Sequence, residues 1–408
     1  MPPKRHGKQN KKSNIAEERK RQAQEATRKA ERDKEDHSYL DAQIADREKK
    51  EEAARQELAD KMAVTLHVQQ NFLPKFKNMP KVELHAHLSG SLSRNTIETI
   101  MVSDMPRAQD ILAKYQLSSP SDMNHLFDLF PIVNAILEKP EMLKAATFNT
   151  IREFMEDGCV YLELRTGPKN TPWMTKETYL RTVIEAVKEA RIAFPQIKVF
   201  LIVSFNRTLT AEAGAELLAI IGVLQLESDV IIGVELSGDP SVSGSHLLQL
   251  FQFARRFHGL GVTIHLAEVM NQMTDVLDYL MMLPDRIGHG TFLHKNPKFV
   301  EMMTFYRIPL EICLTSNIYS KTTTNMYDSH FNFWRKLGVP VAICTDDKGM
   351  LPGASLTEEY YKAAVAFNLT SADIIQINAD ALKASFAYKY KATDLTDTWR
   401  KIQNNTLE

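Results

Sequence analysis

The sequence predicts a TIM (β/α)8 barrel, and three observations carry that prediction. Short apolar runs recur along the chain, amphipathic stretches separate them, and residues able to bind a metal gather at the ends of several runs. The runs are KVELHAH (81–87), VYLELRT (160–166), KVFLIVSF (198–205), VIIGVEL (230–236), GVTIHLAE (261–268), RIGHGT (286–291), IPLEICL (308–314) and VPVAICTDD (339–347). Stretches such as KETYLRTVIEAVKEARIAF and HLLQLFQFARRFHGL lie between them and have helix-like patterning. Apolar runs buried on both faces suit parallel strands, and their alternation with helices makes β/α units. Eight such units over roughly 350 residues match a barrel of this type with insertions. The competing arrangement is an open doubly wound sheet, but the Gly-rich phosphate turn it usually carries is missing.

The long stretch from about 95 to 158, between the first two runs, reads as an all-helical insert able to cap the barrel mouth. Before the barrel the chain has a different character. Residues 1–30 carry ten Lys/Arg and three Asp/Glu, and residues 31–60 carry six and eleven. This segment is rich in Ala, Glu, Lys, Arg and Gln, all good helix formers, with apolar positions too sparse for a coiled-coil seam. The expected division is therefore a charged helical or disordered tail over 1–61, its partner unknown, and one barrel domain over 62–408.

Composition excludes several classes of function. The net charge of −1 over 408 residues gives no global attraction to nucleic acid or acidic lipid, so no nucleic-acid partner is expected for the barrel. No apolar stretch approaches the ~20 residues of a spanning helix, and MPPKRHGKQNKK lacks the apolar centre of a secretory signal. Cys159, Cys313 and Cys344 are few, far apart and set in apolar runs, which argues for core packing in a reducing, cytoplasmic setting without disulfides.

In a TIM barrel the chemistry sits at the C-terminal ends of the strands. The first run ends in His85-Ala86-His87, and residues two apart on a strand face the same side, so both imidazoles can reach one ion. The fifth run ends in His265-Leu266-Ala267-Glu268, the sixth in His289, the eighth in Asp346-Asp347. Imidazoles and a carboxylate suit zinc better than Ca²⁺ or Mg²⁺, which favour oxygen alone. A zinc with one open position lowers the pKa of its water to about 7. Hydrolysis then needs a general acid, and Glu268 follows a ligand by three residues.

Taken together, MPKVELHAHLSGSL, GVELSGDP, IHLAE, DRIGHGTFL, PLEICLTSN and ICTDDKG resemble the adenosine deaminase family of metal-dependent hydrolases, over residues 79–390. DRIGHGTFL, CLTSN and CTDDKG are most similar to its adenosine deaminase-like branch, the N6-methyl-AMP deaminases. The resemblance implies one zinc per chain, bound by His85, His87, His265 and Asp346. It implies that Glu268 protonates purine N1, that His289 orients the attacking hydroxide and assists proton transfer, that Asp347 holds N7, and that Gly238 offers its N–H to N3. His87 and Glu268 would also line the substrate site.

Ser89 stands where adenosine deaminases proper have an Asp that accepts from the free ribose 5′-OH. A carboxylate there would repel a 5′-phosphate, whereas hydroxyls and backbone N–H groups can donate to one. Lys169, Thr166, Asn206 and Asn134 fall at the branch's other substrate-contact positions. The implied reaction is removal of a small amine from a purine nucleoside 5′-monophosphate, N6-methyl-AMP to IMP, by a monomeric enzyme. Deamination of free adenosine to inosine is the alternative, and an inactive nucleotide-binding scaffold is a third. His125, His246, His258, His294 and His330 read as surface or packing residues, Arg286 as a support for the sixth strand's end, and Met281-Met282 and Met302-Met303 as core filler. Thr315-Ser316-Asn317 reads as a support for the metal ligands.

Overall fold

The computed structural model describes residues 73–115, 128–391 and 393–404. The charged segment 1–61 and His125 lie outside them. Eight strands follow the chain: β1 (Lys81–His87), β2 (Cys159–Thr166), β3 (Lys198–Asn206), β4 (Ile231–Ser237), β5 (Gly261–Leu266), β6 (Arg286–His289), β7 (Leu310–Ile312) and β8 (Val341–Ile343). They pair in sequence order, every pair parallel. Beyond β8 the chain returns to β1: Asp346 N–H donates to His85 O at 2.8 Å, and His87 N–H to Asp346 O at 3.3 Å. This is the expected barrel.

The first five runs match their strands to within two residues. The last three strands are shorter than their runs because the chain turns sharply at their ends. His289 and Asp346 adopt left-handed backbone conformations (φ 58° and 60°), as does Ala267 beyond β5 (φ 51°). Such conformations cost about 1–2 kcal/mol in a residue with a Cβ. All three sit beside the reactive groups, where strain of this kind commonly accumulates.

The insert between β1 and β2 is helical where described, with helices at Arg94–Ile100, Met105–Tyr115, Phe130–Ile136 and Pro140–Glu156. Pro140 opens the last of these without loss of a needed donor, since a first-turn N–H has no intrahelical partner. Ser93 Oγ accepts from Thr96 N at 3.0 Å at the start of the first, and donates to Glu153 Oε1 at 2.5 Å on the last, which ties the two together.

One expectation fails inside the barrel. Runs apolar on both faces were expected, yet Glu83, Glu163, Arg165, Glu235, Arg286 and Glu311 are all fully buried. Arg165 pairs with Glu235 Oε2 at 2.6 Å and with Glu311. Arg286 pairs with Glu311 Oε1 and with Glu163 Oε2, each at 2.6 Å. The two guanidiniums pair with three of the carboxylates. Glu83, raised to about 7 by burial, accepts instead from the His85 and Thr345 backbone N–H groups at 2.7 and 3.0 Å, so that each buried group is hydrogen-bonded. Below them, helices after β8 seal the barrel: Phe386 occupies space left by Gly233 and Gly261, its ring centroid 3.7 Å from the Arg286 guanidinium. Phe386 N–H donates to Glu163 Oε1 at 2.6 Å.

Candidate active site

The strand ends bring the expected ligand residues to one point. His85 Nε2 and His87 Nε2 lie 3.4 and 3.5 Å from Asp346 Oδ1, and His87 Nε2 lies 3.3 Å from His265 Nε2. Two overlapping sets of ligand atoms each fall within 4.8 Å: His85, His265, His289 and Asp346, and His87, Glu235 and His265.

The ion pairs beneath decide which ring nitrogens face this point. Burial would raise Glu311, but the Arg165 and Arg286 guanidiniums hold it well below the usual carboxylate range. It therefore accepts from His85 Nδ1–H at 3.0 Å, which turns His85 Nε2 towards the ligand point. Nε2 is buried with no hydrogen-bond partner, as a ligand atom waiting for a cation must be. His265 is held the same way: Nδ1–H donates to the Leu236 carbonyl at 3.1 Å. Burial lowers His87 to about 4 and His265 further, so both rings are neutral, the form a metal requires. Burial opposes ionisation of Asp346, but the histidines gathered around it, His85 foremost, hold it well below its ordinary value. Ser316 Oγ donates to its Oδ2 at 2.7 Å, the supporting role expected of Thr315-Ser316-Asn317. His85, between the Glu311 and Asp346 carboxylates, is instead raised to about 9, a proton that a bound cation would displace. Three imidazoles and a carboxylate fit a zinc site.

Above the ligands opens a cavity of about 390 Å³, lined by His87, Ser89, Asn134, Lys169, Asn206, Gly238, His265, Glu268, His289, Asp346 and Asp347, with Phe130 and Leu209 as its larger apolar members. Burial raises Glu268, whose Oε1 lies 3.5 Å from His289 Nε2. Gln272 Oε1 accepts from the Glu268 backbone N–H at 3.1 Å and fixes the turn that carries it. Asp347 is raised well above the carboxylate range by burial and by the charge of Asp346. Its carboxyl occupies the space over Gly90, where an added Cβ would come within 1.6 Å of Oδ1. Gly238 has φ 100° and packs on the Asn206 amide, so both a Cβ and the backbone angle exclude other residues.

Not every expected residue reaches the cavity. Thr166 follows Arg165 on β2, and because Arg165 points into the barrel, Thr166 points out. Its Oγ1 meets Tyr179 Oη at 2.9 Å, and its neighbours Gly167, Pro168 and Lys169 form the wall instead. His330, read as a surface or packing residue, is buried with Nε2 at 2.8 Å from the His289 carbonyl. Arg286, expected to support the sixth strand's end, instead begins β6 and lies at the barrel floor, bonded to Glu311, Glu163 and the Ala384 carbonyl and away from the cavity. Sequence reasoning missed Glu311, Arg165 and Glu235. Their signal was a charge inside an otherwise apolar run, alone for Glu235 and Glu311 and two residues from Glu163 for Arg165.

The adenosine deaminase family model matches residues 80–402 of the chain. The chain belongs to the adenosine deaminase family. This family member is 61% identical over 336 residues to a Caenorhabditis elegans adenosine deaminase-like protein, covering 82% of this chain and 87% of that one. It is 32% identical over 341 residues to a human N6-methyl-AMP deaminase, covering 81% and 96%. A solved structure of Arabidopsis ADAL complexed with IMP superposes with a TM-score of 0.70 at 27% identity, covering 80% of this chain and 96% of that one. Members of the family are metal-dependent purine deaminases, and the His/Asp cluster of this deaminase is placed to hold such an ion.

Proposed function

We propose that this deaminase is a zinc enzyme acting on a purine nucleoside 5′-monophosphate, with N6-methyl-AMP and water converted to IMP and methylamine. The observation that carries the reading is Lys169. Among the described residues, it is the one Lys or Arg lining the cavity, and it meets Asn134 of the insert across the mouth. Ser89, also lining the cavity, presents a hydroxyl at a position where a carboxylate would repel a phosphate. The human relative's name and the IMP bound to the Arabidopsis relative support the same substrate class.

Bound by His85, His87, His265 and Asp346, a zinc ion would act as a Lewis acid and lower the pKa of a coordinated water to about 7. The chain's own groups do the rest. Glu268, raised by burial, holds a proton to deliver to N1, which makes C6 electrophilic. Asp347, raised further, is a neutral acid that donates to N7. Gly238 offers its N–H to N3, and Phe130 and Leu209 cover the base with apolar surface and exclude water. The oxygen of water adds to C6 while one of its protons returns to Glu268. As the tetrahedral carbon collapses, the new hydroxyl passes its proton to N6, the C6–N6 bond breaks, and methylamine leaves a carbonyl at C6. A single zinc per chain and a monomeric state complete the reading, and the three buried, free cysteines agree with a reducing, cytoplasmic setting.

Assays of N6-methyl-AMP, AMP and adenosine side by side test the substrate. The monophosphates are expected to react with higher kcat/KM than adenosine, and an adenosine rate equal to theirs removes the phosphate from the reading. Lys169→Met is expected to raise KM for monophosphates ~10–100-fold, on the scale of one charge-assisted hydrogen bond of about 1.5–3 kcal/mol, with adenosine unaffected. Burial lowers Lys169 to about 8, so its charge is present below that pH and lost above it. The kcat/KM for monophosphates is therefore expected to fall as pH rises through about 8, a limb absent in Lys169→Met.

A further inference from the structure

His289 is gripped at more points than the proposed chemistry uses. Its Nε2 faces the site, 3.5 Å from Glu268 Oε1 and 3.7 Å from Asp346 Oδ2. Its left-handed backbone is held from behind, where His330 Nε2–H donates to its carbonyl at 2.8 Å. Its other ring nitrogen, Nδ1, lies 3.4 Å from Asn317 Nδ2. Asn317 is 2% exposed and sits in the short helix Leu314–Tyr319 that leaves β7.

The orientation of the Asn317 amide follows from its neighbours. Nδ2 lies 3.3 Å from both Thr291 Oγ1 and Thr322 Oγ1. The Thr322 hydroxyl donates its own proton to the Asn317 backbone carbonyl at 3.1 Å, so towards the amide it can only accept. Oδ1 is buried with no partner. Reversing the amide would place an NH₂ there and leave two donors unsatisfied in place of one acceptor, the costlier arrangement. The NH₂ end of the amide therefore faces Thr291, Thr322 and His289 Nδ1, its two hydrogens shared among the three, and a proton on His289 Nδ1 would meet those hydrogens head-on.

We propose that Asn317 is a positioning residue that fixes His289 as the tautomer with Nδ1 unprotonated and its proton on Nε2. Resting on the deaminase reading above, this assigns His289 the part of a hydrogen-bond donor to the oxygen that adds at C6. An Nε2–H has no lone pair with which to take that oxygen's proton. Asn317 acts only through His289: it does not line the cavity.

The tautomer is measurable without turnover. Long-range proton–nitrogen NMR of the full chain with labelled histidines, with His289 assigned by its loss in His289→Gln, reads the protonation of each ring nitrogen. The wild type, with and without added zinc, is expected to show Nδ1 bare and Nε2 protonated; a proton on Nδ1 overturns the proposal. Asn317→Asp substitutes an acceptor and is expected to move the proton to Nδ1 and to lower kcat ~10–100-fold, the range for supporting partners, with KM little changed. Unmoved His289 signals in a folded Asn317→Asp overturn it too. Asn317→Thr serves as a second variant, expected to lower kcat with a mixed tautomer, and full kcat with an unmoved tautomer counts against the proposal. If the wild-type tautomer is as expected but no purine is deaminated, the inference stands and the functional reading falls.

Discussion

Glu268→Gln is expected to lower kcat by ~10²–10⁴-fold, the range attributed to a positioned acid or base, while the protein folds and binds added zinc as the wild type does. The separation of effects follows from geometry. Glu268 lies beyond the end of β5, its backbone anchored by Gln272 and its carboxyl facing the cavity. No ligand atom belongs to it. A glutamine keeps the volume and can donate to N1, but has no proton to transfer. Metal analysis together with single-turnover kinetics checks this. Undiminished turnover removes Glu268 from the chemistry, and lost zinc gives it a structural part instead.

Arg165→Met is expected to cost about 3–5 kcal/mol of stability, the range for breaking a buried ion pair by removing one partner. Arg165 is fully buried and bridges Glu235 and Glu311, so its loss leaves two carboxylates facing each other without their shared cation. Arg286 still pairs with Glu311, but Glu235 keeps only Ser204 and the histidines. Metal affinity should fall as well, because Glu311 orients His85. Urea unfolding with and without zinc separates the two effects: a lower midpoint without metal reports the ion pair, and a smaller gain from zinc reports the histidines. A midpoint equal to wild type would show that the network contributes nothing to stability.

The barrel was legible because its runs keep their spacing: β1 begins and ends where KVELHAH does, and DRIGHGTFL carries β6 and His289 on one short segment. The ligand residues were legible too, since two-residue spacing puts His85 and His87 on one side. What the sequence hid was the direction of individual side chains. Thr166 and Arg165 are adjacent and both polar, and strand alternation decides which enters the barrel. The pairing of Glu311 with Arg165 spans 146 residues, a distance over which local pattern carries no information. His330 was unreadable for the same reason: its partner is a carbonyl 41 residues away.

The seal at the barrel floor has a consequence for the order in which the molecule can form. Glu163 on β2 has its hydrogen bonds completed by a backbone N–H that arrives only with Phe386, after every strand has been made. Until that segment packs, Glu163 lacks one of its donors even when all eight strands are paired. Locking of the interior therefore waits on the helices that follow the barrel, and not on the closing of the sheet itself.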